Sequence, residues 1–372
     1  MKRGSPTKKP TRRKRIALLL PAHNEQLILA TTIHSAIVAG MNKRDIYVVD
    51  DNSSDDTLAI AQRELSPENV LSVARSGKAR AVKQALVYFD IEKRYCWLHV
   101  ADADSIFCPD YFKIYRKHLN SKDWSAAVGF VQSLGGNWIA NYRSFSYTYG
   151  QHIFKRIQSW FGIIAVLPGP VTCFKTDIIK SLDFETESLT EDFDLTIQIH
   201  RKHLGRIRFI PEAVNFTQDP RTLKDFYDQT IRWQRGFFQG VRKYHIGLRP
   251  HIIDLGVGYQ MSESVYYLCQ LVIIMPLLVM VNRNWSLSLG LFLADYLAIV
   301  TLAVFSAIAA KRPIILATLT YFYVLRLFEL MIFIQAFIEV MLLRRFKTVP
   351  VGWGTEGRRY EIATDDAKVT IQ

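Results

Sequence analysis

Apolar and polar positions follow two regimes along the chain. Short apolar runs closed by polar clusters fill the first two-thirds, and long apolar stretches fill the rest. Residues 16–20 are apolar and end at Pro21, the pattern of a buried parallel strand. Residues 21–25 then turn into a helix through about Val38. A second strand is predicted over 45–49. It ends in the polar run 50–57, which reads as a turn and helix cap before a helix to Glu64. A third strand covers 70–74, and Ser76-Gly77-Lys78-Ala79 leads into a helix to about Phe89. The fourth strand, 95–101, ends in Asp102-Ala103-Asp104. A further apolar strand covers 126–132, and 206–210 reads as a short strand before Pro211. Strands alternating with helices predict an α/β fold with a doubly wound, mostly parallel sheet. Such sheets bind ligands outside the carboxyl ends of their strands, so the polar clusters at those ends should converge on one crevice.

Between these strands, residues 138–161 are rich in aromatics with Lys155 and Arg156 inserted. They fit either an amphipathic helix on a bilayer or a core helix. Residues 167–172 (Leu-Pro-Gly-Pro-Val-Thr) read as a rigid loop at an acceptor entrance. His200 and His203 lack a third ligand in view and read as surface residues. Three long apolar segments follow, at about 262–281, 286–310 and 314–343, each long enough to span a bilayer. They carry Asp295, Arg326, Glu329 and Glu339, and such groups usually face a bundle interior. Lys311-Arg312 and Arg344-Arg345 both favour the cytoplasm, so the last segment cannot be a simple span. Two to four spans remain open. The expected organisation is a basic cytoplasmic tail over 1–15 and a catalytic domain over 16–245. A membrane region over 246–346 and a cytoplasmic tail over 347–372 follow.

The net charge of +13 adds little to this picture, because eight of the positive charges lie in the first fifteen residues. A polybasic tail beside membrane segments points to an anionic leaflet, and no basic-aromatic groove motif points to nucleic acid. Four cysteines without paired spacing argue against a zinc site or a disulfide framework and fit a reducing compartment. No signal peptide is expected, since the basic start runs directly into a strand and Pro21.

Candidate chemistry lies at the strand ends and on one later helix. Asp102 and Asp104 offer hard oxygen ligands one residue apart, suited to Mg²⁺ or Mn²⁺ shared with a diphosphate. Asp51 fits an acceptor for the imide of a uracil base, or else a capping residue. Lys78, after Gly77, fits a contact to base or diphosphate, or a solvated lysine. Glu191 and Asp192 pair carboxylates at a helix start, as a catalytic base requires. Gln229, Arg232 and Trp233 fall on one helical face and supply a fixed cation and an aromatic plate for a sugar.

Taken in order, several strings resemble a known family. They are Pro21-Ala22-His23-Asn24-Glu25, Asp50-Asp51-Asn52-Ser53-Ser54-Asp55, Gly77-Lys78-Ala79, Asp102-Ala103-Asp104, Thr190-Glu191-Asp192 and Gln229-Thr230-Ile231-Arg232-Trp233. The set resembles the membrane-bound family-2 inverting glycosyltransferases, the group of cellulose, hyaluronan, chitin and poly-N-acetylglucosamine synthases. The resemblance covers about 16–245 and extends weakly to Trp353-Gly354-Thr355, similar to a tail motif of hyaluronan synthases. It implies the nucleotide-sugar transferase type A fold, with Asp192 as general base and Glu191 beside it. Asp104 and Asp102 would hold Mg²⁺ or Mn²⁺, and Asp51, Lys78 and Glu25 would contact the nucleotide-sugar. Gln229, Arg232 and Trp233 would hold the diphosphate and the acceptor terminus. The Gln-x-x-Arg-Trp element favours a processive synthase using a UDP-sugar, with UDP-GlcNAc or UDP-Glc foremost, and a carbohydrate acceptor. It would be a multi-pass protein of the cell membrane with a cytoplasmic catalytic domain. Two features depart from the pattern: His23 stands where tyrosine is common, and a basic tail stands where many such synthases begin with membrane helices. The latter suggests a partner subunit or oligomer completing a channel, or a short or lipid-linked product made non-processively. A catalytically silent membrane scaffold is the third expectation, disfavoured by the intact acids.

Overall fold

The computed structural model describes residues 15–119, 124–185, 188–281, 283 and 285–344. The basic tail up to Lys14 and the Trp353-Gly354-Thr355 motif lie outside the described residues. An eight-stranded sheet is ordered β3-β2-β1-β4-β7-β6-β8-β5. The strands are β1 (Ile16–Ala22), β2 (Ile46–Asp50), β3 (Val70–Ser72), β4 (Trp97–Val100), β5 (Ile106–Phe107), β6 (Trp124–Ser133), β7 (Thr172–Lys175) and β8 (Arg206–Thr217). The first four pair in parallel, β6 and β8 run in their direction, and β7 and β5 run against it. The sheet is thus mostly parallel, as the alternating pattern predicts.

Both faces of β1 are buried, which explains its unbroken apolar run. Ala17 and Leu19 face α3 (Lys78–Tyr88) through Ala81, Val82 and Ala85. On the other face Leu18 and Leu20 meet helix α1 (Leu29–Val38). That face also carries α2 (Thr57–Glu64) and α4 (Tyr111–His118), with Ala61, Tyr111 and Tyr115 in the same core.

Two prolines lie inside strands rather than ending them. Pro21 pairs with Val49 of β2, while pairing with β4 stops at Leu19. Its missing N–H therefore falls beyond the end of β4 and interrupts no ladder. The expected end of β8 before Pro211 is corrected, because the strand continues to Thr217. Its register with β6 slips between Val128 and Phe130, which pair with Phe209 and Val214. A bulge is where a sheet tolerates a proline. The expected loop at 167–172 is also shorter than predicted: Thr172 begins β7, which the sequence pattern missed.

Residues 138–161 form α5 (Trp138–Tyr149), π-helical turns over Gly150–Lys155 and a last α-helical stretch, Arg156–Phe161. The first part is core, with Ile139, Tyr142 and Phe145 buried. Only its far end, at Trp160 and Phe161, is largely exposed. Helix α6 (Glu191–Arg201) and the long helix α7 (Leu223–Lys243) follow. His200 is buried rather than at the surface, with Nε2 2.9 Å from the Ile164 carbonyl, whereas His203 is exposed.

Among the described residues, two helices are long and apolar enough to cross a bilayer, α8 (Ile253–Met280, 28 residues) and α9 (Trp285–Ala309, 25 residues). The first spans about 42 Å, more than a hydrocarbon core of about 30 Å. Its opening turns pack on the sheet-bearing part of the chain, where Ile253 and Val257 meet Phe193. Beyond them, apolar side chains such as Val272, Leu277, Leu293 and Leu297 stand exposed. The third apolar segment is not one long helix. It divides into a 3-10 stretch, Pro313–Thr320, and α10 (Phe322–Phe337). α10 lies against α7, with Phe238 between Phe333 and Phe337 and with Arg235 bonded to Glu339 at 2.6 Å. Arg312 donates to the Ser133 carbonyl at 2.7 Å, so the chain returns to the end of β6 after α9.

Candidate active site at the carboxyl edge of the sheet

Loops at the carboxyl ends of β1, β2, β3 and β4 interlock before they meet any ligand. Asp51, fully buried, accepts from the Ser76 and Gly77 amides at 2.7 and 2.9 Å. Gly77 has φ 86°, a left-handed turn that glycine adopts at little cost and that starts α3 at Lys78. Asp51 therefore sets the direction in which Lys78 leaves the sheet. His23 bonds the Asp51 carbonyl through Nδ1 at 2.9 Å and contacts Arg75 through Nε2. Glu25 is buried, and its amide donates to Thr57 Oγ1 at 2.7 Å. The α2 end is capped by Asp55, whose Oδ1 accepts from the Thr57 amide at 2.9 Å.

Lys78 joins two clusters far apart in sequence. Its Nζ lies 2.7 Å from Asp102 Oδ1 and 2.8 Å from Glu191 Oε1. Gly169 presses on this triad, since a Cβ there would meet Lys78 Nζ at 2.8 Å and Asp102 Oδ1 at 3.3 Å. Burial alone would lower the Lys78 pKa, but the two carboxylates outweigh it and raise the ammonium above its ordinary value. Burial likewise opposes the charge on Glu191, and Lys78 with Arg232 holds that carboxyl below its usual range. Asp192 goes the other way. Burial and the neighbouring Glu191 charge push it up to about 6, against the pull of Lys78 and Arg232. A small cavity walled by Val82, Val100, Leu167, Phe174 and Leu195 adjoins Lys78 and Asp192, an apolar surrounding that makes a bare carboxylate costly.

The acids at the start of α6 are clamped onto α7. Arg232 Nη1 donates to the Leu189 carbonyl at 3.2 Å, and Gln239 Oε1 accepts from the Leu189 amide at 3.0 Å. Gly236 and Gly240 allow the two helices to touch. A Cβ on the first would lie 2.4 Å from Thr190 Oγ1, and on the second 2.4 Å from Phe193 Cε1. Farther along, Lys243 bonds buried Asp194 at 2.7 Å, and Arg201 bonds Asp254 of α8 at 2.7 Å.

Asp104 is buried, whereas the Asp102 side chain is about a third exposed. Sequence reasoning missed a third acid in this corner. Asp219 follows the true end of β8, at the same edge of the sheet, and is buried. Burial pushes it up to about 7, with Ser133, Arg143 and Arg312 opposing and Asp104 adding to the rise. Among the described residues, no group of three or more His, Cys, Asp or Glu side chains is close enough to hold a metal unaided. Arg143 was also missed. It donates to Gln229 Oε1 at 3.4 Å and lies over the Trp233 ring at 4.8 Å. Reading β8 through its proline would have placed Asp219 at the edge; no sequence signal marks Arg143.

An open sheet with acids, a lysine and an arginine gathered at its carboxyl edge is the architecture of a type A glycosyltransferase. The chain belongs to the family described as "Glycosyltransferase like family 2", whose profile matches residues 13–236. It is 27% identical over 239 residues to the probable glycosyltransferase YdaM of Bacillus subtilis (strain 168), covering 60% of this chain and 55% of that protein. It is 25% identical over 231 residues to the poly-beta-1,6-N-acetyl-D-glucosamine synthase of Staphylococcus aureus (strain COL), covering 59% and 54%. The chain thus spans about half the length of these curated relatives. Among solved structures, the mannosyltransferase PcManGT from Pyrobaculum calidifontis, in complex with GDP-Man and Mn²⁺, aligns over 90% of this chain and 89% of its own. The TM-score is 0.53 at 15% sequence identity, so the likeness is one of fold, and it extends past the sheet into the C-terminal helices.

Proposed function

We propose that this chain is a membrane-embedded, inverting glycosyltransferase that transfers a sugar from a UDP-sugar, UDP-GlcNAc or UDP-Glc, onto a growing β-linked polysaccharide. The observation that carries the reading is the joint between Asp102, Lys78, Glu191 and Arg232, which brings the strand-end acids and the Gln-x-x-Arg-Trp helix to one crevice. Asp192 takes the proton from the acceptor hydroxyl as its oxygen forms a bond to the anomeric carbon. The bond from that carbon to the diphosphate breaks, and its electron pair leaves with UDP. One displacement without an enzyme nucleophile inverts the α-linked donor to a β-linkage. A carboxylate with its pKa near 6 is a better base at neutral pH than an ordinary aspartate. Arg232 and Lys78 stabilise charge on the leaving diphosphate, and Trp233 with Gln229 holds the acceptor terminus. Asp51 and Glu25 shape the uridine end through the turns they fix.

Asp102 and Asp104 are the residues that would hold Mg²⁺ or Mn²⁺. Two hard carboxylates without a complete protein ligand set fit a cation that takes its remaining oxygens from a diphosphate and water. Such a cation would neutralise charge on the leaving diphosphate. The exposed apolar belts of α8 and α9 are the lipid-facing surface in this reading. A two-span reading is supported by Arg312, which reaches back to the Ser133 carbonyl after α9, and in this reading the sheet lies on the cytoplasmic side. A second subunit or copy beside the two candidate spans of the described residues would complete a polymer channel.

The test is UDP release by the purified full chain across a panel of UDP-sugars with Mg²⁺ or Mn²⁺, followed by sizing of the product. Release with one donor, lost in Asp192→Asn while donor binding persists, is expected. A ladder of products supports a processive synthase, and a single added sugar identifies a non-processive enzyme. Silence with every donor would refute the reading in favour of a scaffold.

A further inference from the structure

Arg143 of α5 has no part in the reaction as written above, yet it is 6% exposed and carries a charge. Its guanidinium lies 4.8 Å from the Trp233 ring centre and 4.5 Å from that of Phe226. Nη2 donates to Thr230 Oγ1 at 3.0 Å and to Gln229 Oε1 at 3.4 Å. Nη1 faces the Glu329 carboxylate of α10 at 3.9 Å. Glu329 is itself fixed, by the Tyr142 hydroxyl at 2.6 Å and by Arg326 at 2.9 Å, and Arg326 also pairs with Glu263 of α8. A single planar group thus reaches Gln229, Thr230 and Trp233 on α7 and a carboxylate on the C-terminal helix.

We infer that Arg143 is a positioning residue. It holds Gln229 and the Trp233 plate in place, and Glu329 holds Arg143, so that the packing of α8 and α10 sets the geometry of the acceptor subsite. The physical reasons are two. A desolvated cation needs nearby carboxylates, and Arg143 is flanked by Glu329 at 3.9 Å and also acts on the Asp219 carboxyl. Stacking on an indole while donating sideways requires the flat fork of arginine, which a lysine ammonium does not supply. That the plate is an acceptor subsite rests on the function proposed above; the mechanical link between Glu329 and Trp233 does not.

The test uses the full chain in nanodiscs, labelled with 5-fluorotryptophan, with the Trp233 resonance assigned from Trp233→Phe. Glu329→Gln is expected to shift the Trp233 resonance while leaving that of Trp97 in place. In Arg143→Gln/Glu329→Gln the second change should add nothing to the shift caused by Arg143→Gln alone. A Trp233 resonance indifferent to Glu329→Gln, or additive shifts in the double variant, would overturn the inference. Should Arg143→Gln fail to fold, Arg143→Lys keeps the charge but loses the stack, and it is expected to shift the same resonance. In kinetics, Arg143→Gln and Arg143→Lys should raise the acceptor KM about tenfold with the donor KM unchanged, as befits a coupled contact. Equal rises in both constants would overturn the acceptor assignment. A wild-type chain that transfers no sugar would instead refute the proposed function and leave the fluorine result to decide the link.

Discussion

Replacing Gly236 with alanine would put a methyl group between the two halves of the site. Its Cβ would stand 2.4 Å from Thr190 Oγ1, 2.6 Å from Cγ2 and 2.9 Å from Cβ. Non-bonded carbon atoms settle at about 3.5–4.0 Å, so α7 and the start of α6 must part by about 1 Å. Overpacking of this kind costs about 1–3 kcal/mol of stability. The catalytic cost should be larger. Thr190 directly precedes Glu191 and Asp192, and Arg232 lies one turn before Gly236 on α7. Parting the helices moves Asp192, the proposed base, away from Arg232, the cation proposed to serve the leaving group. A displacement of about 1 Å costs about a hundredfold in rate when it misaligns reacting groups. UDP release and thermal unfolding, measured in one detergent, separate the two effects. Thr190→Ala removes the two nearest atoms, so the double variant should recover much of the lost turnover. A Gly236→Ala enzyme with unchanged turnover and unchanged unfolding temperature would refute the close-contact argument.

The raised pKa of Asp192, about 6, predicts an acid limb of kcat/KM centred near pH 6, about two units above an ordinary aspartate. The sign is that of a base lost by protonation, so activity falls as pH drops through 6, and a limb near pH 4 would remove Asp192 from that role. For stability the sign is opposite. A carboxyl raised by folding favours the folded state most below its unfolded value of about 4, and this contribution is lost as pH rises through 6. Lys78→Met removes the ammonium that bridges Asp102 and Glu191, and should raise the donor KM at least tenfold, given about 1.5–3 kcal/mol per charged hydrogen bond. An unchanged donor KM in isothermal titration and kinetics would remove Lys78 from the donor site. Chelation should abolish UDP release, with activity restored by Mn²⁺ or Mg²⁺, and turnover that survives chelator would show that the cationic side chains suffice.

What the sequence determined by itself was local. Doubly buried strands must be apolar over their whole length, and the polar groups that follow them mark the carboxyl edge, so residues 16–20 and Asp102-Ala103-Asp104 were legible without a structure. Helical spacing placed Gln229, Arg232 and Trp233 on one face, and motif order placed Asp192 beside Glu191. Signals that depend on a partner strand or helix were not legible. Pro211 reads as a strand end until β6 supplies a bulge to accept it, and so Asp219 went unnoticed. The sequence leaves the course of the third apolar segment open, and only the bonds of Glu329 and Glu339 to Tyr142 and Arg235 show it packed against α5 and α7. Arg143 has no pattern at all, because its role comes from Gln229, Trp233 and Glu329, which are distant along the chain and share its surroundings only after folding. Periodicity reports which face of an element is buried; only tertiary packing decides what that face is buried against.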